Sequence, residues 1–156
     1  MKILSKAFAN KQSIPKQYTC DGKGINPEVQ FEAVPAEAKS LVLLMDDPDV
    51  PKNLKPDGVF DHWVVYNIDP TVKEISENSK PPGIEGLNGT GKLGFTPPCP
   101  PDREHRYFFK LYALSTMLDL NNPERVTKDM VLQKMQRHII EEAELVGVYN
   151  RLQNQK

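Results

Sequence analysis

Residues 45–68 read MDDPDVPKNLKPDGVFDHWVVYNI, and this stretch decides the fold. The apolar run that leads into it ends in three aspartates, Asp46, Asp47 and Asp49, which are interleaved with prolines. A second apolar run, residues 62–68, starts with a histidine and alternates, so successive side chains face opposite sides of a strand. The stretch therefore predicts two strands joined by a stiff acidic loop.

Two further segments, with this pair, give the chain the pattern of a β protein. Each candidate strand is rich in Val, Ile, Leu, Phe or Tyr and is bounded by turn residues. The candidate strands span residues 28–34, 41–45, 59–68 and 107–114. Short strands followed by a helical tail predict a mostly β fold, an antiparallel β-sandwich with a peripheral helix.

The clearest helical signal lies late in the chain, over residues 126–145. Apolar residues recur there at every fourth position, which is typical of one face of a helix. The stripe consists of Val131, Met135, Ile139 and Ala143. Thr127 is the expected N-cap. Gly147 interrupts the pattern, so residues 145–149 are also compatible with a final strand.

Composition sets limits on the class of protein. The 156 residues are predicted to form a single domain, 1–156. The net charge of −1 gives no electrostatic reason to expect nucleic-acid binding, since proteins that bind nucleic acid carry a basic face. No apolar run approaches the roughly 20 residues of a membrane span. The first residues lack the apolar stretch of a signal peptide, so we expect a cytoplasmic location. Cys20 and Cys99 are expected to be free thiols in that compartment.

A long segment, residues 78–104, is rich in proline and glycine. A loop of this length inside a compact domain is unusual unless it has a function. Its prolines stiffen the backbone, and its glycines allow close approach of other groups. We therefore expect it to border a site.

Polar side chains cluster at the predicted strand ends. His62 and His105 each open a strand, and Asp47 follows the end of another. His105 and Tyr107 project the same way, about 7 Å apart along the strand. Such a group can bind an oxyanion, hold a metal ion or perform acid–base chemistry, and the spacing does not choose among these. Strand caps and a solvated turn would also explain these residues.

Four motifs give these residues a family resemblance. They are YTCDG at 18–22, DDPDVP at 46–51 followed by HWVVYNI at 62–68, PPCPP at 97–101 running into HRYFFKLYAL at 105–114, and AELVGVY at 143–149. The chain resembles the phosphatidylethanolamine-binding protein family (Raf kinase inhibitor-like), and its bacterial branch in particular. The resemblance implies two antiparallel sheets packed as a Greek-key β-sandwich, with peripheral short helices and a C-terminal helix.

The resemblance also implies a small anion pocket at one end of the sandwich. The residues that it assigns to ligand binding are Asp47, Asp49, His62, Cys99, Pro101, His105 and Tyr107. Asp47 is expected to orient a histidine, and the two histidines and Tyr107 are expected to donate hydrogen bonds. Two stretches, 88–91 and 96–98, depart from the usual bacterial pattern, which implies a stiffer and differently shaped pocket mouth.

The expected function follows from this pocket. We expect a binding protein, without cofactor, for a small phosphate-like or carboxylate anion such as a phosphoethanolamine head group. It would regulate a protein partner, a kinase or protease, rather than act as an enzyme. The alternative is a hydrolase, with Cys99 as nucleophile, or a metal-dependent enzyme that uses Asp47, His62 and His105.

Overall fold

The computed structural model describes residues 1–151, which contain eight strands and one α-helix. The strands are β1 (Lys2–Leu4), β2 (Val29–Glu32), β3 (Ser40–Asp47), β4 (Phe60–Ile68), β5 (Glu74–Ile75), β6 (Ile84–Glu85), β7 (His105–Leu114) and β8 (Ile139–Tyr149), and the helix is α1 (Lys128–Met135). Short 3₁₀ turns lie at Lys16–Tyr18 and Pro123–Arg125. All four strands predicted from the sequence are present, as β2, β3, β4 and β7.

The strands form two antiparallel sheets. One has three strands in the order β1-β2-β5, and the other has five in the order β6-β4-β3-β7-β8. Apolar side chains of both sheets, such as Phe31 from the small sheet and Leu43 and Phe109 from the large one, share one core. The predicted mostly β, two-sheet fold is confirmed, while its Greek-key connectivity stays a prediction.

The central strand β3 is buried along all eight of its residues. Its inner face lies in the core between the sheets, and its outer face is covered by α1, where Val131 and Met135 pack against Val42 and Leu44. The helix begins as predicted, because the Thr127 side chain accepts a hydrogen bond from the backbone N–H of Met130. In residues 1–151 no helix is long and apolar enough to cross a membrane.

The helix predicted over 126–145 is wrong beyond Met135. Residues Ile139–Tyr149 form β8, which pairs with β7 along that strand's full length. The pairing satisfies backbone hydrogen bonds and buries Leu145 and Tyr149, and this tertiary gain outweighs the local helical pattern. The alternative of a strand over 145–149 was therefore correct but too short. Residues 152–156, the end of the predicted domain, lie outside the described residues.

An irregularity in β4 sets the direction of one histidine. Met45 of β3 pairs with Trp63, whereas Asp46 pairs with Asp61. His62 is therefore an extra residue in β4, a bulge that re-aims its side chain. Its ring contacts Tyr107 in the core between the sheets, the side that also holds Trp63. The strict alternation predicted for this strand is wrong at His62.

The expectation of free thiols is also wrong. Cys20 and Cys99, which are 79 residues apart in sequence, form a disulfide with a Cα–Cα distance of 5.4 Å. A backbone hydrogen bond also joins the two segments, since the N–H of Cys20 donates to the carbonyl of Pro98 at 3.0 Å. Spacing in the sequence carries no sign of this contact.

Candidate functional site

A cavity of about 560 Å³ lies where β3, β4 and β7 come together. Its polar groups, Asp47, His62 and His105, stand at the end of β3, near the start of β4 and at the start of β7. The segment 78–104 supplies one wall, as expected from its composition. The wall residues from that segment are Gly89, Thr90, Thr96, Pro97, Cys99 and Pro101. Strand ends and a stiff loop thus hold the chemistry in place.

Asp47 is fixed between two partners. Its Oδ2 accepts a hydrogen bond from Nδ1–H of His105 at 2.6 Å, and its Oδ1 accepts from the backbone N–H of Asp49 at 2.8 Å. Both Asp47 and His105 are buried. The carboxylate therefore sets the orientation of the His105 ring, which is the role that the sequence predicted for Asp47.

The second nitrogen of His105 is also occupied. Nε2 lies 2.7 Å from Oδ1 of Asp102, three residues earlier in the chain. An ionised carboxylate only accepts hydrogen bonds, so His105 contacts both aspartates as a donor only when both ring nitrogens carry protons. The hydrogen bond from His105 is the main cause that lowers the pKa of Asp102. Asp102 was not predicted as a site residue from the sequence.

The other histidine of the cavity, His62, carries only one ring proton. Its Nδ1 lies 2.7 Å from the carbonyl oxygen of Thr96, and a carbonyl can only accept, so Nδ1 carries the proton. Burial lowers the pKa of His62 from its ordinary value of 6.5, so the ring is neutral at pH 7. A neutral ring has one N–H, which leaves Nε2 as an acceptor. The predicted role of His62 as a donor to an anion is therefore wrong for the neutral ring.

Tyr107 lies behind the cavity, next to both histidines. Its ring centroid is 5.2 Å from that of His62 and 6.5 Å from that of His105. The side chain is fully buried, and its hydroxyl has no hydrogen-bond partner within residues 1–151. Burial raises the pKa of this phenol, so it remains a protonated donor.

Asp49 anchors the acidic loop after β3 and does not line the cavity. Asp49 accepts hydrogen bonds from the backbone and guanidinium of Arg106, and it does not border the cavity. The guanidinium is the main cause that lowers the pKa of Asp49. Because Asp49 also donates its N–H to Asp47, the ion pair supports the site indirectly.

Close packing shapes the wall that the segment 78–104 forms. A Cβ added to Gly89 would lie 2.6 Å from the ring of Phe60, so only glycine fits there without a shift. The neighbouring Asn88 holds the loop, since it donates to the carbonyl of Gly94 at 2.8 Å and accepts from Thr90. The departures from the bacterial pattern noted at 88–91 and 96–98 thus fall on the cavity wall, where the sequence placed them.

Comparison with known proteins identifies the family of this chain. Residues 4–150 match the model of the family described as phosphatidylethanolamine-binding protein. The chain belongs to the phosphatidylethanolamine-binding protein family. Membership supports a binding protein in general, and it agrees with the family indicated by the motifs.

Relatives and solved structures cover nearly the whole chain. The UPF0098 protein of Chlamydia trachomatis is 47% identical over 97% of this chain and 99% of its own length. That of Methanothermobacter thermautotrophicus is 43% identical, with shares of 97% and 99%. The structure of CT736 from Chlamydia trachomatis, a homologue in the same family, covers 95% of both chains with a TM-score of 0.91 and 47% identity. E. coli YbcL matches with a TM-score of 0.84 and 26% identity, over 95% of this chain and 96% of its own.

The structure brings together most of the residues predicted for this family's pocket. Five of the seven border the cavity: Asp47, His62, Cys99, Pro101 and His105. Tyr107 stands behind it and Asp49 beside it. Sequence reasoning missed Phe60, Lys55 and Asp102. The position of Asp102 between PPCPP and HRY was a usable signal, because both neighbouring motifs had already been assigned to the pocket.

The structure bears on two chemistries considered from the sequence, metal binding and nucleophilic catalysis by Cys99. In residues 1–151 there is no group of three His, Cys, Asp or Glu side chains arranged to hold a metal ion. The sulfur of Cys99 is bonded to Cys20, so the predicted thiol nucleophile is not free in this structure. The enzymatic alternatives remain predictions of the sequence.

Proposed function

We propose that this member of the family binds a small phosphate-type oxyanion in the cavity between β3, β4 and β7. The observation that carries the proposal is the buried, unpaired hydroxyl of Tyr107 beside two histidine rings. A buried donor without a partner costs about 1–3 kcal/mol, and an oxygen atom of a ligand would recover that cost. A buried donor of this kind beside two histidines that line the cavity favours a ligand that accepts from it.

The remaining groups suit the same class of ligand. His105 can donate from Nε2, while the neutral His62 accepts, so a partly protonated oxyanion would meet both. Lys55, at the cavity wall, adds a cation that Asp57 holds at 3.5 Å. A cavity of about 560 Å³ is in the size range of small-molecule sites, roughly 300–1,000 Å³. Phosphate and a phosphoethanolamine head group fit these requirements, whereas an ionised carboxylate could use only the donors.

A regulatory role is the second part of the proposal. The family resemblance suggests that the binding module acts on a protein partner such as a kinase or protease. A partner could sense the ligand at the cavity mouth, where Leu54 lines the wall and is 64% exposed.

The place where the protein works also belongs to this proposal. The sequence predicted a cytoplasmic location, and that prediction rested on the lack of a signal-like segment. The Cys20–Cys99 disulfide favours an oxidising compartment instead, because reducing systems keep cytosolic thiols free in most organisms. Thiol labelling of protein taken directly from its source cells would choose between the two locations.

The chain's three histidines provide a direct test. Ring signals of His62, His105 and His138 would be followed by NMR during titration with phosphate, then phosphoethanolamine, then acetate. We expect His62 and His105 to shift together along one binding curve, while His138, which is exposed on the segment after α1, stays constant. Unchanged rings at His62 and His105 with all three anions would contradict the proposal. A response to acetate alone would point to a carboxylate ligand.

A further inference from the structure

Asp102 stands where a bound anion would meet His105. Its Oδ1 lies 2.7 Å from Nε2 of His105, and the ring is fully buried. We propose that Asp102 is an internal competitor for the anion, and that a ligand reaches His105 only by displacing the Asp102 side chain. The inference rests on the proposed function of the cavity and adds a residue that controls access to it.

The hydrogen bonds of His105 leave no alternative place for a ligand. A histidine ring has two nitrogens, and Nδ1 already donates to Asp47. Nε2 is the only other nitrogen, and when it carries a proton it donates to Asp102. An anion that binds His105 must therefore replace one of the two carboxylates.

Asp102 is the carboxylate that is free to leave. Its side chain is 42% exposed, whereas that of Asp47 is 4% exposed and is also held by the backbone N–H of Asp49. The other contacts of Asp102 are with its neighbour Arg103, whose N–H lies 3.0 Å away and whose guanidinium Nε lies 3.8 Å away. The loop 101–104 is exposed throughout, so Asp102 can turn into solvent without disturbing the core.

Competition of this kind weakens the binding of every anion by the same factor. The apparent dissociation constant equals the intrinsic one divided by the fraction of molecules in which Asp102 is away. If Asp102 covers His105 about 90% of the time, its removal tightens binding about tenfold. The intramolecular carboxylate would thus raise the anion concentration at which the cavity is half occupied.

The test compares two matched substitutions with the parent protein. Asp102→Asn removes the charge that holds His105, and Glu104→Gln removes a charge from the same exposed loop without touching the ring. Affinity for inorganic phosphate would be measured by calorimetry for all three proteins. We expect Asp102→Asn to bind about five- to tenfold more tightly than the parent, and Glu104→Gln to bind within about twofold of it.

Each other outcome overturns the inference. If Glu104→Gln tightens binding as much as Asp102→Asn, the effect is general electrostatics and not competition. If the parent binds phosphate and Asp102→Asn binds no more tightly, displacement is wrong while the proposed function stands. If neither protein binds phosphate, the proposed function fails and the competition fails with it.

A second readout does not depend on binding. Without phosphate, the His105 ring signals should move in Asp102→Asn, because Nε2 loses its ionised partner, and they should stay in place in Glu104→Gln. Unmoved His105 signals in Asp102→Asn would show that the contact does not exist in solution. Both sites are exposed, so neither substitution is expected to disturb the fold.

Discussion

Asp49 and Arg106 are joined by three hydrogen bonds, one from the backbone N–H of Arg106 and two from its guanidinium, at distances of 2.8–2.9 Å. The pair fastens the proline-containing loop after β3 to the start of β7. Because the same loop donates the N–H of Asp49 to Asp47, the pair also fixes the carboxylate that orients His105. A planar guanidinium makes this two-pronged contact in a way that lysine does not.

We predict that Arg106→Ala weakens phosphate binding about three- to tenfold and lowers the free energy of unfolding by about 1 kcal/mol or less, since the pair is partly exposed. Arg106→Lys should recover stability more than binding. Calorimetry and urea unfolding would measure the two effects. Arg137→Ala, an exposed arginine after α1, is the control. Full affinity in Arg106→Ala would mean that the loop holds Asp47 without this pair.

Tyr107→Phe separates binding from stability. The substitution removes a buried hydroxyl that has no partner, so we expect stability to stay constant or rise by up to about 1 kcal/mol. Phosphate affinity should fall about five- to tenfold, because a donor to the anion is lost. Thermal unfolding and calorimetry would measure the two quantities.

Tyr66→Phe is the matched control for that substitution. Tyr66 is also fully buried with an unpaired hydroxyl within residues 1–151, but it packs on the α1 side of the sheet. Its removal should leave phosphate affinity unchanged. Equal affinity losses in both variants would show that the change acts through the fold, and no loss in either would remove Tyr107 from the binding site.

His62 should make stability depend on pH. The folded protein keeps the ring neutral because burial lowers its pKa, whereas the unfolded chain takes up a proton near the ordinary value of 6.5. Below that pH, unfolding is therefore accompanied by the uptake of a proton. The contribution of His62 to stability is complete above it and falls as the pH drops toward the lowered pKa, by up to about 1.4 kcal/mol per pH unit.

Urea unfolding at steps between about pH 7.5 and 4.5 would measure this dependence. In His62→Asn, whose amide can replace the N–H given to Thr96, the slope below pH 6.5 should be shallower than in the parent. His138→Asn controls for the loss of a histidine. An unchanged slope in His62→Asn would show that the ring is not neutral in the folded protein.

The Cys20–Cys99 disulfide should contribute strongly to stability. It closes a loop over a sequence separation of 79 residues, and in the chain-entropy description such a link restricts the unfolded chain by up to about 4 kcal/mol. Reduction of the parent should lower the free energy of unfolding by about 2–4 kcal/mol. The double substitution Cys20→Ser and Cys99→Ser should start at that lower value and not respond to reductant. A parent that is insensitive to reductant would contradict the prediction.

The strands were predictable because their signals are local, whereas the residues of the pocket were implied by the family resemblance. Alternation over 105–111 placed His105 and Tyr107 on one face, and both lie on the inner side of β7. Prolines and glycines marked the segment that forms the cavity wall. Each of these features depends on residues close together in the chain, and the physical rules that govern them need no knowledge of distant partners.

The features that were missed depend on pairing between distant segments. The bulge at His62 exists only in relation to β3, and the disulfide joins segments 79 residues apart. The misassigned helix has the same cause, because Ile139 and Ala143 fit a helical stripe but β8 pairs with β7 instead. Asp102 was missed because its role depends on which histidine nitrogen remains available after Asp47 has bound the other.

The order of strands in the large sheet has a consequence for folding kinetics. β3 pairs with β7. The last residue of β3, Asp47, and the first residue of β7, His105, are 58 residues apart in the sequence. Pairings between such distant segments form slowly, since the chain must lose much of its freedom before they gain energy. The cavity, which needs both strands and the 78–104 segment, is complete only when folding is complete. A bound anion should therefore retard unfolding and leave the rate of folding unchanged.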